Sequence, residues 1–136
     1  LWVSKGEYGI YRISPNGQYK LYQNKEESAA NIISICKDTQ GNIYAGSTDK
    51  GLLKFDKQKD QFISIPYKGN QEIPLRSLYA DEEGNIFLCT DGKGVKIYDT
   101  SSGEMSDYTF DGHFDPANLK VHYTIKDHAN NQWLAI

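Results

Sequence analysis

Laid over one another, Ser34-Ile35-Cys36-Lys37-Asp38-Thr39-Gln40-Gly41-Asn42-Ile43-Tyr44 and Ser77-Leu78-Tyr79-Ala80-Asp81-Glu82-Glu83-Gly84-Asn85-Ile86-Phe87 align without a gap at an offset of 43 residues. The match continues through Ser47/Thr90, Lys50/Lys93, Gly51/Gly94, Leu52/Val95, Phe55/Tyr98 and Asp56/Asp99. A third copy runs from Tyr123 through Asp127 to Trp133, with Asp127 lying 46 residues after Asp81. A fourth, lacking its front, opens the chain: Leu1-Trp2 matches Ile43-Tyr44 and Gly9-Ile10 matches Gly51-Leu52, at an offset of 42. Units of this length cannot bury their apolar surface alone and stack on their neighbours. The repeat places units at approximately 1–31, 32–74, 75–120 and 121–136.

Each unit reads as four short strands. In the second copy these are Ile33–Lys37, Asn42–Ser47, Leu52–Asp56 and Gln61–Pro66; in the next they are Leu75–Ala80, Asn85–Thr90, Val95–Asp99 and Glu104–Phe110. Asp38-Thr39-Gln40-Gly41-Asn42 suits a tight turn, because Asp binds backbone N–H groups ahead of it and Gly accepts positive φ. In the last copy Asn130 stands in for the glycine, and Asn visits the left-handed region more readily than most residues. In the second strand Trp2, Tyr44, Phe87 and Trp133 share one register, and Ile43, Ala45, Ile86 and Leu88 point the other way. Strands apolar on both faces are covered on both. The links 57–60 and 100–103 are too short for a helix, so other sheets must supply that cover. Ten Tyr, five Phe, two Trp and twelve Gly fit such ring-bearing strands joined by glycine turns. The expected fold is all-β: a fragment of a β-propeller, about three four-stranded antiparallel blades with cut blades at both termini.

Composition narrows the function classes. With 15 basic and 18 acidic side chains the net charge is −3, and no Lys/Arg cluster offers a nucleic acid the patch it needs. No apolar run exceeds four residues, so no segment is expected to span a bilayer or act as a signal peptide. Cys36 and Cys89 stand far apart, in no metal spacing, and read as free strand thiols.

Catalytic constellations are sparse. His113, His122 and His128 belong to no recognisable nucleophile or metal motif. Asp38, Asp81 and Asp127 recur in every complete turn, as folding requires and a single catalytic site does not. Asp91-Gly92-Lys93-Gly94 and Asp81-Glu82-Glu83-Gly84-Asn85 lack the ligand spacing of a calcium loop, and no metal or cofactor is expected. The loops joining second to third strands share a rim with those leading into the next unit. There Tyr8, Asp49, Lys50, Asp91 and Lys93 offer rings and hydrogen-bonding groups suited to a sugar.

The unit Ser77-Leu78 … Asp81-Glu82-Glu83-Gly84-Asn85-Ile86-Phe87 … Thr90-Asp91-Gly92-Lys93-Gly94-Val95 … Tyr98-Asp99 resembles the two-component-regulator propeller repeat. Leu1-Trp2 and Trp133-Leu134 keep that pattern's apolar-Trp pair, Tyr44 and Phe87 substitute other rings, and Gly46-Ser47 and Cys89-Thr90 keep part of its Gly-Thr step. The resemblance implies the periplasmic sensory region of a Bacteroidetes hybrid two-component system, responding to glycan-derived oligosaccharides and signalling through an inner-membrane histidine kinase. It implies no enzymatic activity for this segment. Kinase, receiver and membrane parts would belong to a longer chain. Open blade edges predict self-association, a full-length homodimer, or continuation into a larger ordered chain. A propeller enzyme of lyase or hydrolase type, or a protein-interaction platform, is the alternative.

Overall fold

The protein is described here from a computed structural model, which describes residues 1–5, 9–23, 31–67, 73–109 and 118–136. Its strands are β1 (Trp2–Ser4), β2 (Ile10–Ile13), β3 (Tyr19–Tyr22), β4 (Ile32–Lys37), β5 (Ile43–Ser47), β6 (Gly51–Asp56) and β7 (Gln61–Ile65). They continue with β8 (Leu75–Ala80), β9 (Asn85–Thr90), β10 (Val95–Asp99), β11 (Met105–Asp107), β12 (Tyr123–Lys126) and β13 (Gln132–Ala135). All pair antiparallel with sequence neighbours, giving sheets β1-β2-β3, β4-β5-β6-β7, β8-β9-β10-β11 and β12-β13. These are two whole blades flanked by two cut ones, as the repeat predicts. The fourth strand of the third unit is shorter than the expected 104–110: it spans Met105–Asp107, and Phe110 lies outside the described residues.

The recurring aspartates make the hairpins. Asp38 Oδ1 accepts the backbone N–H groups of Gln40 at 2.9 Å and Asn42 at 2.8 Å, while Oδ2 accepts the Asn42 amide. Asp81 does the same for Glu83 and Asn85, and Asp127 for Ala129 and Asn131. Gly41 and Gly84 turn at φ 79° and 92°, and Asn130 takes the equivalent place at 64°. The acid orients the backbone and the residue three positions on supplies the left-handed corner.

Between the sheets lie three cores, one per junction. Ile10, Ile32, Ala45 and Leu53 join the first sheet to the second, with Trp2, Ile35 and Phe62 packed against them. Tyr44, Leu52, Ile73, Leu75, Leu78, Ile86, Leu88 and Tyr98 join the second to the third. Phe87, Cys89, Val95 and Val121 join the third to the last. Consecutive residues of one strand thus serve different junctions: Tyr44 looks forward and Ala45 back, and Phe87 looks forward and Ile86 and Leu88 back. Each fully buried ring or branched chain contributes about 1.5–3 kcal/mol. The first strand of each blade lies against the next, β4 on β8 and β8 on β12, which sets them side by side around one axis.

Candidate functional site

The rim is held together by backbone hydrogen bonds between the second-to-third-strand turns and the connectors that enter each blade. Thr48 N–H donates to Asn31 O and Asp91 N–H to Pro74 O, both at 3.1 Å. Gly94 N–H reaches Leu119 O at 3.0 Å and Val121 N–H reaches Thr90 O at 3.1 Å. Thr90 Oγ1 closes the 90–94 turn, donating to Gly94 O and accepting from Lys93 N–H. Turns and connectors therefore form one ledge, as loop spacing predicted.

On that ledge the expected residues divide. Asp49 is engaged in structure: its Oδ1 accepts Asn31 N–H at 3.1 Å and the Ser47 hydroxyl. Asp91 pairs with Lys120 at 3.3 Å and Arg76 at 3.1 Å, and hydrogen bonds from these two cations, Lys120 first, hold its carboxyl below the usual range. Both acids order the rim. Lys93 anchors its turn through its backbone and extends an exposed side chain. Tyr8 lies outside the described residues.

Lys50 borders a cleft of about 310 Å³ between the second and third sheets. Leu52, Leu75 and Leu88 form its apolar depth, and Lys50, Ser64 and Tyr67 stand among its polar lining. Tyr67 is fixed there by donating to Asp107 at 2.9 Å, and the Lys96 ammonium lies 5.7 Å from its ring centre. The volume is at the lower end for small-molecule sites, and an apolar floor with a few placed polar groups is their usual chemistry. Sequence spacing pointed to Lys50 but not to Tyr67, because Tyr67 follows β7 and comes beside the β5–β6 turn only through the pairing of β6 with β7.

A second feature escaped the sequence reading. In β4 and β8 the register slips between Ile32 and Ser34 and between Leu75 and Ser77, bulging Ile33 and Arg76 out of the ladder. His122 holds the same repeat position, its N–H bound to Ala135 O at 2.8 Å. Bulges re-aim a side chain at sheet edges and beside functional sites. The signal was present: one alignment column reads Ile33, Arg76, His122, while its neighbour stays apolar as Ile32, Leu75, Val121.

Both cysteines are free; burial pushes the Cys36 thiol up to about 12 and raises that of Cys89. His128 sits exposed in the β12–β13 turn, and His113 lies outside the described residues. Among the described residues no group of three His, Cys, Asp or Glu side chains could hold a metal, and no helix is long and apolar enough to cross a membrane.

No protein-family model and no curated protein matches the chain. Solved structures do. The extracellular domain of a Bacteroides thetaiotaomicron protein described as a hybrid two component system is 23% identical, with a TM-score of 0.71 over 98% of this chain and 17% of that one. A second extracellular domain from that organism, described as a one component system, gives 20% identity and a TM-score of 0.69, over 98% of this chain and 20% of that one. Virginiamycin B lyase from Staphylococcus aureus gives 13% identity and a TM-score of 0.76, over 98% of this chain and 44% of that one. The chain spans about a fifth of the length of the first two. At these identities the likeness shows the fold: the repeat read from the sequence builds propeller blades of the kind found in those sensor domains.

Proposed function

We propose that the chain is an extracytoplasmic, non-enzymatic sensing segment, seated in the periplasm as part of an inner-membrane hybrid two-component sensor. Its ligand is an oligosaccharide released from a complex glycan, and its output goes to a histidine kinase elsewhere in the protein. The observation that carries the reading is the cleft between the second and third sheets, at the rim where Lys50 and Tyr67 meet an apolar floor. A sugar presents an apolar C–H face and a polar edge. Tyr67 suits the first and the Lys50 ammonium the second. The likeness to extracellular domains of Bacteroides regulators supports the sensing role and the location.

A ligand in this cleft touches two blades at once. It can signal only by binding one blade or subunit arrangement more tightly than another. Thermal shift and calorimetry with a panel of defined oligosaccharides test the reading. A binding sugar should raise the melting temperature by an amount that grows with the logarithm of its concentration above Kd, and Tyr67→Ala and Lys50→Ala should each weaken binding at least tenfold. A panel that shifts nothing, or binding untouched by both variants, would overturn it.

The alternative is a propeller lyase or hydrolase, and His122 favours it, since a lone imidazole stands at the repeat position where the second blade carries Ile33 and the third Arg76. The lyase neighbour was also solved with quinupristin, in a form described as catalytically inactive through a histidine-to-alanine change. Turnover of any panel member, abolished by His122→Ala, would favour the enzyme.

A further inference from the structure

Lys96 breaks the repeat at a core position. It faces Asp107 across β10 and β11, and the corresponding facing pair is Leu53–Ser64 in the second blade and Tyr11–Leu21 in the first. Leu53 turns back into the first junction. Lys96 likewise turns back into the second, where its side chain is only 9% exposed and its ammonium lies 5.7 Å from the Tyr67 ring centre.

Stability alone does not call for an ammonium there. Apolar residues of similar volume serve as well as a buried ion pair or better, and the two preceding blades fill the place without one. What this pair has is a third member: Asp107 Oδ1 accepts both the Lys96 ammonium and, at 2.9 Å, the Tyr67 hydroxyl. Tyr67 follows β7 of the second sheet, whereas Lys96 and Asp107 belong to the third. The contact therefore crosses from one wall of the cleft to the other, beside Met105 of β11. The Tyr67–Asp107 bond is exposed to water and would be a loose tether by itself. A charge-assisted bond from a buried lysine holds the carboxylate still, with Oδ1 toward the phenol.

We propose that Lys96 and Asp107 are positioning residues of the cleft, locking the Tyr67 ring in its lining as a stacking surface for a sugar. A ring fixed beforehand spares the ligand the cost of ordering it. The ligand's part in this rests on the sensing reading; the locking of the ring does not.

Fluorotyrosine placed at position 67 reads the ring by fluorine NMR with no ligand present. In the otherwise unaltered protein its resonance should be displaced from that of the urea-unfolded protein. Lys96→Leu combined with Asp107→Ser supplies the second blade's own pair and avoids the stranded ammonium that Asp107→Ser alone would leave. This double variant should keep the wild-type circular dichroism, while its resonance moves most of the way to the unfolded position. For any panel oligosaccharide that binds the wild type, the double variant should weaken binding about tenfold, and adding Tyr67→Ala should weaken it little further, because the three residues act as one unit. A panel in which nothing binds would remove the sensing reading, and the fluorine resonance would still decide whether the ring is locked. A double variant that unfolds, one that keeps the wild-type resonance, or a loss of binding that adds in full to that of Tyr67→Ala would overturn the proposal.

Discussion

Tyr44 Oη donates to Asp38 Oδ2 at 3.3 Å, tying the ring that fills the second junction to the acid that shapes its own blade's hairpin. Trp133 repeats the bond, its indole N–H donating to Asp127 Oδ2 at 2.9 Å. Phe87 has no such donor, and there Lys126 of the next blade approaches Asp81 Oδ2 at 3.6 Å instead. Turn chemistry and junction packing are thus coupled through one carboxylate per blade.

Tyr44→Phe should therefore keep the packing and lose one hydrogen bond, lowering stability by about 1 kcal/mol. Asp38→Ala removes that bond and the acceptor for Gln40, Asn42 and the Asn42 amide as well, and should cost about 2 kcal/mol or more. Urea unfolding of both variants and of the double variant checks this. Coupling between the two sites should appear as non-additivity, since they share a partner.

Gly46 is required by its neighbour and not by its own backbone. A Cβ placed there would lie 3.1 Å from Leu78 Cγ, across the second junction. In the next blade the corresponding residues are Cys89 and Thr124, a larger residue facing a smaller one. Gly46→Cys alone should overpack the junction and destabilise it by about 1–3 kcal/mol. Adding Leu78→Thr should recover part of that loss, so a double-mutant cycle by thermal or urea unfolding would show favourable coupling.

The blades were legible because period, turn acid and two-sided apolar strands all point to one arrangement. Each is a local property that survives exchange of Trp2 for Tyr44 or Phe87. The rim ledge was legible in outline, since the placement of Lys50 and Asp91 on it follows from loop position alone. Its internal chemistry was not. Arg76 meets Asp91 only because a bulge turns it out of β8, and a bulged residue looks in sequence like one more strand position. Asp60 is similar: Arg12, Lys20 and Tyr22, 38 to 48 residues away, converge on it across the first junction. The first meeting depends on a local bulge and the second on how two blades sit against each other, neither of which the repeat spacing records.

Thiol chemistry gives an independent check on that packing. Burial raises both thiols, Cys36 to about 12, with the nearby Asp38 carboxylate adding to the effect. The thiolate is the reactive form, so at mildly alkaline pH both cysteines of the native protein should react with a disulfide reagent orders of magnitude more slowly than in denaturant. Rapid labelling of Cys89 in native buffer would mean that the third junction opens readily.

Acid should unpick the turns through the aspartates. The Trp133 indole N–H, followed by the Asn131 side chain and backbone, lowers Asp127 from 3.8 to about 2. Because the folded value lies below the unfolded one, the stabilisation is fully present above the unfolded value and is lost as pH falls toward about 2. Trp133→Phe removes the leading hydrogen bond and should move the midpoint of that loss upward, while Asp127→Asn should make the acid limb shallower. Asp99, held at about 2 mainly by the Ser101 hydroxyl, keeps its own share of the limb in both variants. Denaturant unfolding at a series of pH values reads the slope directly. An acid limb identical in wild type and Asp127→Asn would show that this carboxylate is not coupled to folding.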